Sequence, residues 1–396
     1  MTKRFIMMLI MVVALSGVGM GLVACGGDGD ANNTTPGTHT VLWINGETQL
    51  EKDEKVAKNA APSYDGTKPT KAGNGTHLYD FAGWSVDKNA TAGRPAGDLP
   101  TVTANVTYYA IFTENEIYTY NGATITGLTT FARGVGLTAL ALPSSVAGIT
   151  IRGIGDRAFV GCTTLTDIAV PNTVTTIGDY AFSGCSNLVT ITIPNTVTTI
   201  GEYAFADCAA LPGITLPNSV TAIGQYAFSF CTNLGSITIP NGVTAIGEGI
   251  FADCTALTDV NIPNSITAIG QYAFSNCATL TTIIIPNSVM TIGDYAFSRC
   301  AALTNVNLPA GVTAVGECAF SDCADLTDII IPDSVTTIGN FAFDNCTGIT
   351  IYVFVSAPPE GWDSFWNVYS WDFSNYPVKY AGEWHIDETT GLPVAD

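Results

Sequence analysis

Positive charge is scarce in this 396-residue chain, with 14 Lys and Arg against 34 Asp and Glu and a formal net charge of −20. Seven of the 14 basic residues (Lys52, Lys55, Lys58, Lys68, Lys71, Lys88 and Arg94) fall between Thr40 and Glu114. Between Leu137 and Ile349 there are 15 acidic residues and only Arg152, Arg157 and Arg299 on the basic side. Polyanion binding needs clustered Lys and Arg to release counterions. Nucleic acid is therefore excluded as a partner, and an acidic surface suits a soluble exported protein. Histidine is rarer still: His39, His77 and His385 all lie outside that stretch. A metal site needs ligands converging from several directions, and none converge. No G-x-x-x-x-G-K-[ST] occurs, so the many glycines form no phosphate loop. Acidic pairs such as Asp322 and Asp325 read as solvated loop charge. With no nucleophile, base or metal assembled in one place, the chain reads as non-catalytic, without cofactor or metal.

What fills the space is repetition. Phe159, Phe182, Phe205, Phe228, Phe251, Phe274, Phe297, Phe320 and Phe343 are each 23 residues apart. Cysteine follows three residues after each, at Cys162, Cys185, Cys208, Cys231, Cys254, Cys277, Cys300, Cys323 and Cys346. Proline keeps the same step from Pro171 to Pro332. Self-similarity at a fixed period of this size marks a stacked solenoid. Within one copy, Leu188-x-x-Ile191-x-Ile193 has the two-residue period of a strand with one buried face. Pro194, lacking an N–H, ends it, and Asn195 fits a turn through side-chain bonds to nearby backbone. Val197 and Ile200 point inward on the return, Gly201 is placed where the chain must bend without a Cβ, and Cys208 closes the coil. No single copy can bury its apolar face alone, so each stacks on its neighbours. Rungs ~4.8 Å apart make nine coils a rod of roughly 40 Å. The first copy, Leu137 to Val160, carries five extra residues, as suits an end repeat that must also cap.

The positions that change from copy to copy face outward on each strand. They are Asp167 with Ala169, Thr190 with Thr192, Gly213 with Thr215, Ser236 with Thr238, Asp259 with Asn261, Thr282 with Ile284, Asn305 with Asn307, and Asp328 with Ile330. From these, Asp167, Thr190, Thr192, Thr215, Ser236, Thr238, Asp259, Asn261, Thr282, Asn305, Asn307 and Asp328 are the candidate ligand contacts, since the strand face is the usual binding surface of a solenoid. They are short, polar and poor in Trp, Tyr and Arg, which favours weak multivalent contact over one tight lock. A second stripe, Tyr180, Tyr203, Tyr226, Tyr272 and Tyr295, is broken by Gly249, Cys318 and Phe341; it reads as ring packing, with an aromatic contact strip as the other option. The nine-cysteine ladder is expected to be reduced and buried. Neighbouring rungs are within disulfide reach on distance alone, but nine is odd and ladder side chains point in parallel. A buried thiol serves as a small hydrophobe, and serine there is expected to cost more than alanine for want of a partner.

The run L-x-x-I-x-I-P-x-x-V-x-x-I-G-x-x-A-F-x-x-C resembles the BspA-like class of leucine-rich repeat, found in bacterial surface antigens, over more than half the chain. The resemblance implies a mainly β fold: a right-handed leucine-rich-repeat solenoid of about nine 23-residue coils over residues 137–349. Its ending, S-x-x-P-x-G-W from Ser356 to Trp362 with further aromatics, also resembles the tails of that class. Ahead of the array, F-x-G-W at Phe81 to Trp84 and V-T-Y-Y-A-x-F at Val106 to Phe112 resemble the internalin-type B repeat, which implies a small β-grasp-like domain over residues 39–115. Strands are expected at Thr40 to Ile44, Tyr79 to Trp84 and Val106 to Phe112. Residues 116–136 read as a capping hairpin with Asn121-Gly122 as its turn, covering the exposed edge of the first repeat.

Lys3 and Arg4, an apolar run from Phe5, and a small-residue end describe a secretory signal at residues 1–24. Leu22-Val23-Ala24-Cys25 resembles the bacterial lipoprotein box, which implies cleavage before Cys25 and lipidation of its thiol; the alternative is a transmembrane anchor with an incidental cysteine. Loss of Lys3 and Arg4 takes the net charge from −20 to −22. Residues 25–38 read as a flexible tether. Residues 350–396 are an aromatic cap and tail: Trp362, Phe365, Trp366, Tyr369, Trp371, Phe373, Tyr376 and Tyr380 plug the last coil or, alternatively, offer a sugar platform, and Trp384 onward reads as frayed.

Three functions remain open. The two resemblances imply a bacterial protein lipid-anchored to the membrane and exposed at the cell surface, which binds a host, matrix or other-cell protein, or a polysaccharide, through the strand face. Alternatives are an inert spacer that displays the B-repeat-like module, and a glycan binder built on the C-terminal aromatics. Membrane contact would be through the N-terminal lipid only.

Overall fold

The computed structural model describes residues 37–368, 374–387 and 393–395. The signal segment, Cys25, nearly all of the tether and Tyr369, Trp371 and Phe373 lie outside the described residues.

The N-terminal module is a four-stranded mixed sheet of β1 (Thr38–Asn45), β2 (Thr48–Ala57), β3 (His77–Ser85) and β4 (Val106–Glu116), in the order β2-β1-β4-β3. β1 and β4 run parallel and the outer pairs antiparallel. The apolar residues of β1 and β4 converge on a core of Val41, Trp43, Trp84, Leu99, Val102 and Tyr108. Trp43 meets Trp84 edge-on at 4.7 Å and stacks on Tyr108 at 5.0 Å, and its indole N–H donates to Asp53 Oδ2 at 2.9 Å. β2 was not foreseen. Its sequence TQLEKDEKVA is nearly all polar because both of its faces are largely exposed, so it carries no alternation to read.

β5 (Tyr118–Asn121) and β6 (Thr124–Leu128) form an antiparallel hairpin through Asn121-Gly122. β6 pairs in parallel with Gly153–Ile154 of the first repeat, so the hairpin closes one end of the return sheet. A short helix, α1 (Thr130–Gly134), follows, capped by Thr129 Oγ1 accepting from the Ala132 N–H.

Each repeat is a coil of three sides. A front strand such as Thr190–Thr192 turns its central isoleucine inward and pairs in parallel with the equivalent strand one turn away. The turn after it is closed by Val197 N–H donating to Pro194 O. A two-residue return strand, Thr199–Ile200, forms a second parallel ladder. The third side has no strand, yet it too is laddered: Tyr180, Phe182 and Gly184 donate to Glu202, Ala204 and Ala206 carbonyls, each at 2.8 Å. Leu188, Ile191, Ile193, Val197, Ile200, Ala204, Phe205 and Cys208 all point into one continuous core that spans the whole array.

Several local readings change. The front ladder does not stop at Ile349: Thr350–Val353 pairs with Asp328–Ile331, making ten front strands from Ala139–Ala141 onward. The repeat glycine at Gly178, Gly201, Gly224, Gly293, Gly316 and Gly339 is needed for closeness, not for a bend. A Cβ at Gly201 would lie 2.6 Å from Asp179 N and 2.5 Å from Asp179 Oδ1. The left-handed positions are instead Tyr203 (φ 52°) and Asp207 (φ 58°) and their equivalents in other copies. At the proline corner the rung-to-rung bond comes from the hydroxyl two residues on, Thr196 Oγ1 donating to Val174 O at 2.6 Å, not from Asn195. The five extra residues of the first copy form a hairpin of their own, Ser145–Val146 against Ile149–Thr150, with positive φ at Ala147 and Gly148. Pro212 replaces the residue whose N–H bonds the rung below, and the front ladder is interrupted between Thr190–Thr192 and Gly213–Ile214.

The C-terminal aromatics cover the last coil. Trp366 meets Phe343 at 6.3 Å and Trp362 at 4.7 Å, both edge-on; both indoles are buried, and Trp362 donates to Val335 O. The residues after Trp384 are not frayed where they are described. Trp384–Ile386 pairs with Pro393–Ala395, and the buried Trp384 ring packs on Tyr352 and Phe354.

Candidate functional site

The front strands put every second side chain in water. Asp167, Thr190, Thr192, Thr215, Ser236, Thr238, Asp259, Asn261, Thr282, Asn305, Asn307 and Asp328 are all exposed, while the residue between each pair is buried. The registers bring them into two columns. One runs Ala139, Asp167, Thr190; then Gly213, Ser236, Asp259; then Thr282, Asn305, Asp328, Thr350. The other runs through Ile284, Asn307, Ile330 and Tyr352 to Lys379. No arginine or lysine pairs with the three aspartates among the described residues. Their hydrogen bonds are local: Thr166 Oγ1 donates to Asp167 and Thr327 Oγ1 to Asp328, at 2.6 and 2.9 Å.

The other two sides of the coil are structural. The phenylalanine column stacks face to face at 5.2 to 5.8 Å from Phe159 to Phe343. Tyrosines pack on the third side, Tyr180 on Tyr203 at 4.8 Å, Tyr203 on Tyr226 at 4.9 Å and Tyr272 on Tyr295 at 5.0 Å. Their rings are half-buried, so ring packing is the arrangement observed. A left-handed backbone costs a non-glycine residue roughly 1–2 kcal/mol, and the stack offsets it.

The nine repeat cysteines are buried and none is bridged. Each from Cys185 onward donates its S–H to the carbonyl of the phenylalanine 26 residues earlier, Cys185 to Phe159 O at 3.1 Å and Cys346 to Phe320 O at 3.0 Å. The thiol therefore has a partner, which the reading of it as a plain hydrophobe missed; only the stacking of coils creates that contact. Burial pushes the Cys185, Cys231 and Cys300 thiols up to about 12, so they stay protonated and unreactive at neutral pH. Cys318 occupies a position of the tyrosine stripe and is partly exposed. No group of acidic, histidine or cysteine side chains that could hold a metal occurs among the described residues, and no described helix is long and apolar enough to cross a membrane.

Residues 152–281 and 267–359 match the model of the BspA type leucine rich repeat region, 208 of 396 residues together. The chain belongs to the BspA-type leucine-rich repeat family. A leucine-rich repeat protein from Bacteroides ovatus is 29% identical, with a TM-score of 0.51, over 60% of this chain and 69% of that one. A leucine-rich repeat protein of T. pallidum is 30% identical, with a TM-score of 0.44, over 48% of this chain and 89% of that one. A leucine rich cell surface protein from Faecalibacterium prausnitzii is 26% identical, with a TM-score of 0.39, over 67% and 95%. No curated protein matches the chain. The first of these neighbours bears on fold, and it agrees with a BspA-type solenoid.

Proposed function

We propose that this protein is an exported, lipid-anchored recognition protein that binds a protein ligand along the front face of its solenoid, without catalysis. The observation that carries this is the contrast between faces. Twelve exposed front-face residues differ from rung to rung over a core that repeats Ile, Phe and Cys almost unchanged. Leucine-rich repeat proteins generally bind proteins, which supports the same reading. Cys25 would carry the lipid, and the membrane would be touched by that anchor only. The N-terminal sheet, as a B-repeat-like module, would sit between anchor and array.

The glycan reading loses support because Trp362 and Trp366, the rings it needed, are buried against the last coil. The spacer reading is separated by experiment. Charge reversal at Asp259 and Asp328, with bulky replacements at Thr190 and Thr238, is expected to reduce binding to matrix-coated or cell surfaces while the melting temperature barely moves. Full binding by residues 39–115 alone, with none by the array, would make the solenoid a stalk.

A further inference from the structure

The front face changes character along its length. Its second column holds threonine and alanine on the early rungs, Ala141, Ala169 and Thr192, and becomes Ile284, Asn307, Ile330 and Tyr352 on the late ones. Ile284 is 84% exposed, more than any other large apolar side chain among the described residues. Over these late rungs the C-terminal hairpin folds against the sheet. Trp384 packs on Tyr352 at 5.1 Å and on Phe354 at 4.8 Å, and its indole N–H donates to Val353 O. Pro393, on the hairpin's second strand, thereby becomes a wall facing Asn305, Asn307, Asp328 and Ile330 across a hollow of about 460 Å³. The flat face has acquired a recess.

We propose that this hollow anchors the ligand, and that it takes an extended segment of a partner protein presenting a basic side chain beside an aliphatic one. The inference rests on the front face being the binding surface. Charge decides the sign of the partner: among the described residues the lining holds one carboxylate, Asp328, and no Lys or Arg. Among the described residues Asp328 receives a side-chain hydrogen bond from Thr327 and makes no ion pair. Lys379, beyond Tyr352 in the same column as Ile330, is two rungs away. A cationic side chain would complete Asp328 with a charge-assisted bond. Asn305 and Asn307 each present a donor and an acceptor, the pair that a main-chain peptide group requires. Ile330 and Ile284 leave apolar surface in water that an aliphatic neighbour would cover. Among the described residues the lining has no aromatic ring on which a sugar would stack.

The test uses the full chain and two fluorescein-labelled peptides, one alternating Lys and Leu, one alternating Glu and Leu, followed by anisotropy at physiological salt. The Lys-Leu peptide is expected to bind and the Glu-Leu peptide not. Asp328→Asn and Ile330→Thr, each checked for an unchanged melting temperature, are expected to weaken binding by roughly tenfold. Asp207→Asn, an exposed carboxylate on the third side of the coil and off the front face, is expected to leave it unchanged. Absence of binding, equal loss in Asp207→Asn, or no loss in Ile330→Thr overturns the proposal, the second outcome by reducing it to diffuse acidity. The surface-binding assay separates this from the broader reading. If Thr190 and Thr238 replacements abolish surface binding while Asp328→Asn and Ile330→Thr retain it, the front face stands and the anchor falls. If neither set matters, both fall.

Discussion

The ring of Tyr226 lies across Gly249, so that a Cβ on residue 249 would sit 2.1 Å from Tyr226 Cε1. Gly249 occupies the stripe position that Tyr203, Tyr226 and Tyr272 fill elsewhere, and its backbone is left-handed at φ 57°. With no ring on the next rung, Tyr226 leans over the gap and donates to Glu248 Oε1 at 2.8 Å. Gly249→Ala adds a Cβ in a strained backbone conformation and displaces that ring. The expected loss is about 2 kcal/mol, read as a lower urea midpoint. An unchanged midpoint would show that the ring moves freely.

The cysteine ladder makes the fold sensitive to alkali. Its thiols have raised folded-state values through burial, about 12 for Cys185, Cys231 and Cys300 against 9.0 when free. A raised value means stability present in full below pH 9 and lost as pH climbs toward 12, at about 1.4 kcal/mol per thiol per pH unit. Urea midpoints are expected to fall steeply above about pH 9. Replacing several ladder members by alanine should flatten that slope.

Each ladder thiol also has a hydrogen-bond partner, Phe228 O at 3.2 Å in the case of Cys254. Cys254→Ala is expected to cost about 1–2 kcal/mol by opening a small cavity and orphaning that carbonyl. Cys254→Ser can donate to the same oxygen and is expected to cost no more than alanine. A much larger loss in the serine variant would mean the contact is too long for a hydroxyl to reach.

In the N-terminal module Glu51 is pushed up to about 7, first by burial and then by Asp53 and Asp65 beside it. Its stabilising contribution is complete below about pH 4.5 and is lost as pH rises through 7. Glu51→Gln keeps an oxygen for the Asp65 and Gly66 N–H groups that Glu51 Oε2 now receives. The variant is expected to melt higher than the parent at about pH 8 and no higher at about pH 4. A parallel shift at both would point away from titration.

Removing the plug tests whether the tail is structural. Trp366→Ala is expected to cost about 3–5 kcal/mol, and to do so locally, since a solenoid is stabilised neighbour by neighbour. Amide exchange should speed up at Ile329 and Ile351 while Ile168 keeps its protection. Loss of polysaccharide binding without any change in exchange would favour the sugar-platform reading.

The anchor is tested at the other end. Buried methylenes contribute ~0.8 kcal/mol each, so two or three acyl chains hold durably where one does not. Cys25→Ser is expected to release the protein from membranes or leave an uncleaved precursor. Unaltered fractionation and processing would remove Cys25 from the proposal.

Much of the fold could be read from single residues because the period is strict. Phe205, Cys208 and Pro194 recur at one spacing, and only stacking gives such recurrence a common burial. The twelve front-face positions followed from alternation around Ile191 and its equivalents, since a strand with one buried face leaves no choice of side. β2 was missed because Thr48–Ala57 buries almost nothing, and burial is what writes a pattern into sequence. The Trp384–Pro393 pairing was missed for a related reason: one tryptophan in a polar run does not reveal which surface covers it.

By itself, then, the sequence determined the coil: its length and its inward and outward residues, both local consequences of period and polarity. Contacts between turns lay beyond it. Gly201 is small because Asp179 of the previous turn approaches it, Tyr203 is left-handed because the third side is laddered, and Cys254 has a partner because Phe228 lies one turn back. The recess at Asp328 and Ile330 exists because Trp384 docks on Tyr352. These depend on distances between residues 22 or more apart in the chain, which only the folded structure brings to a few ångströms.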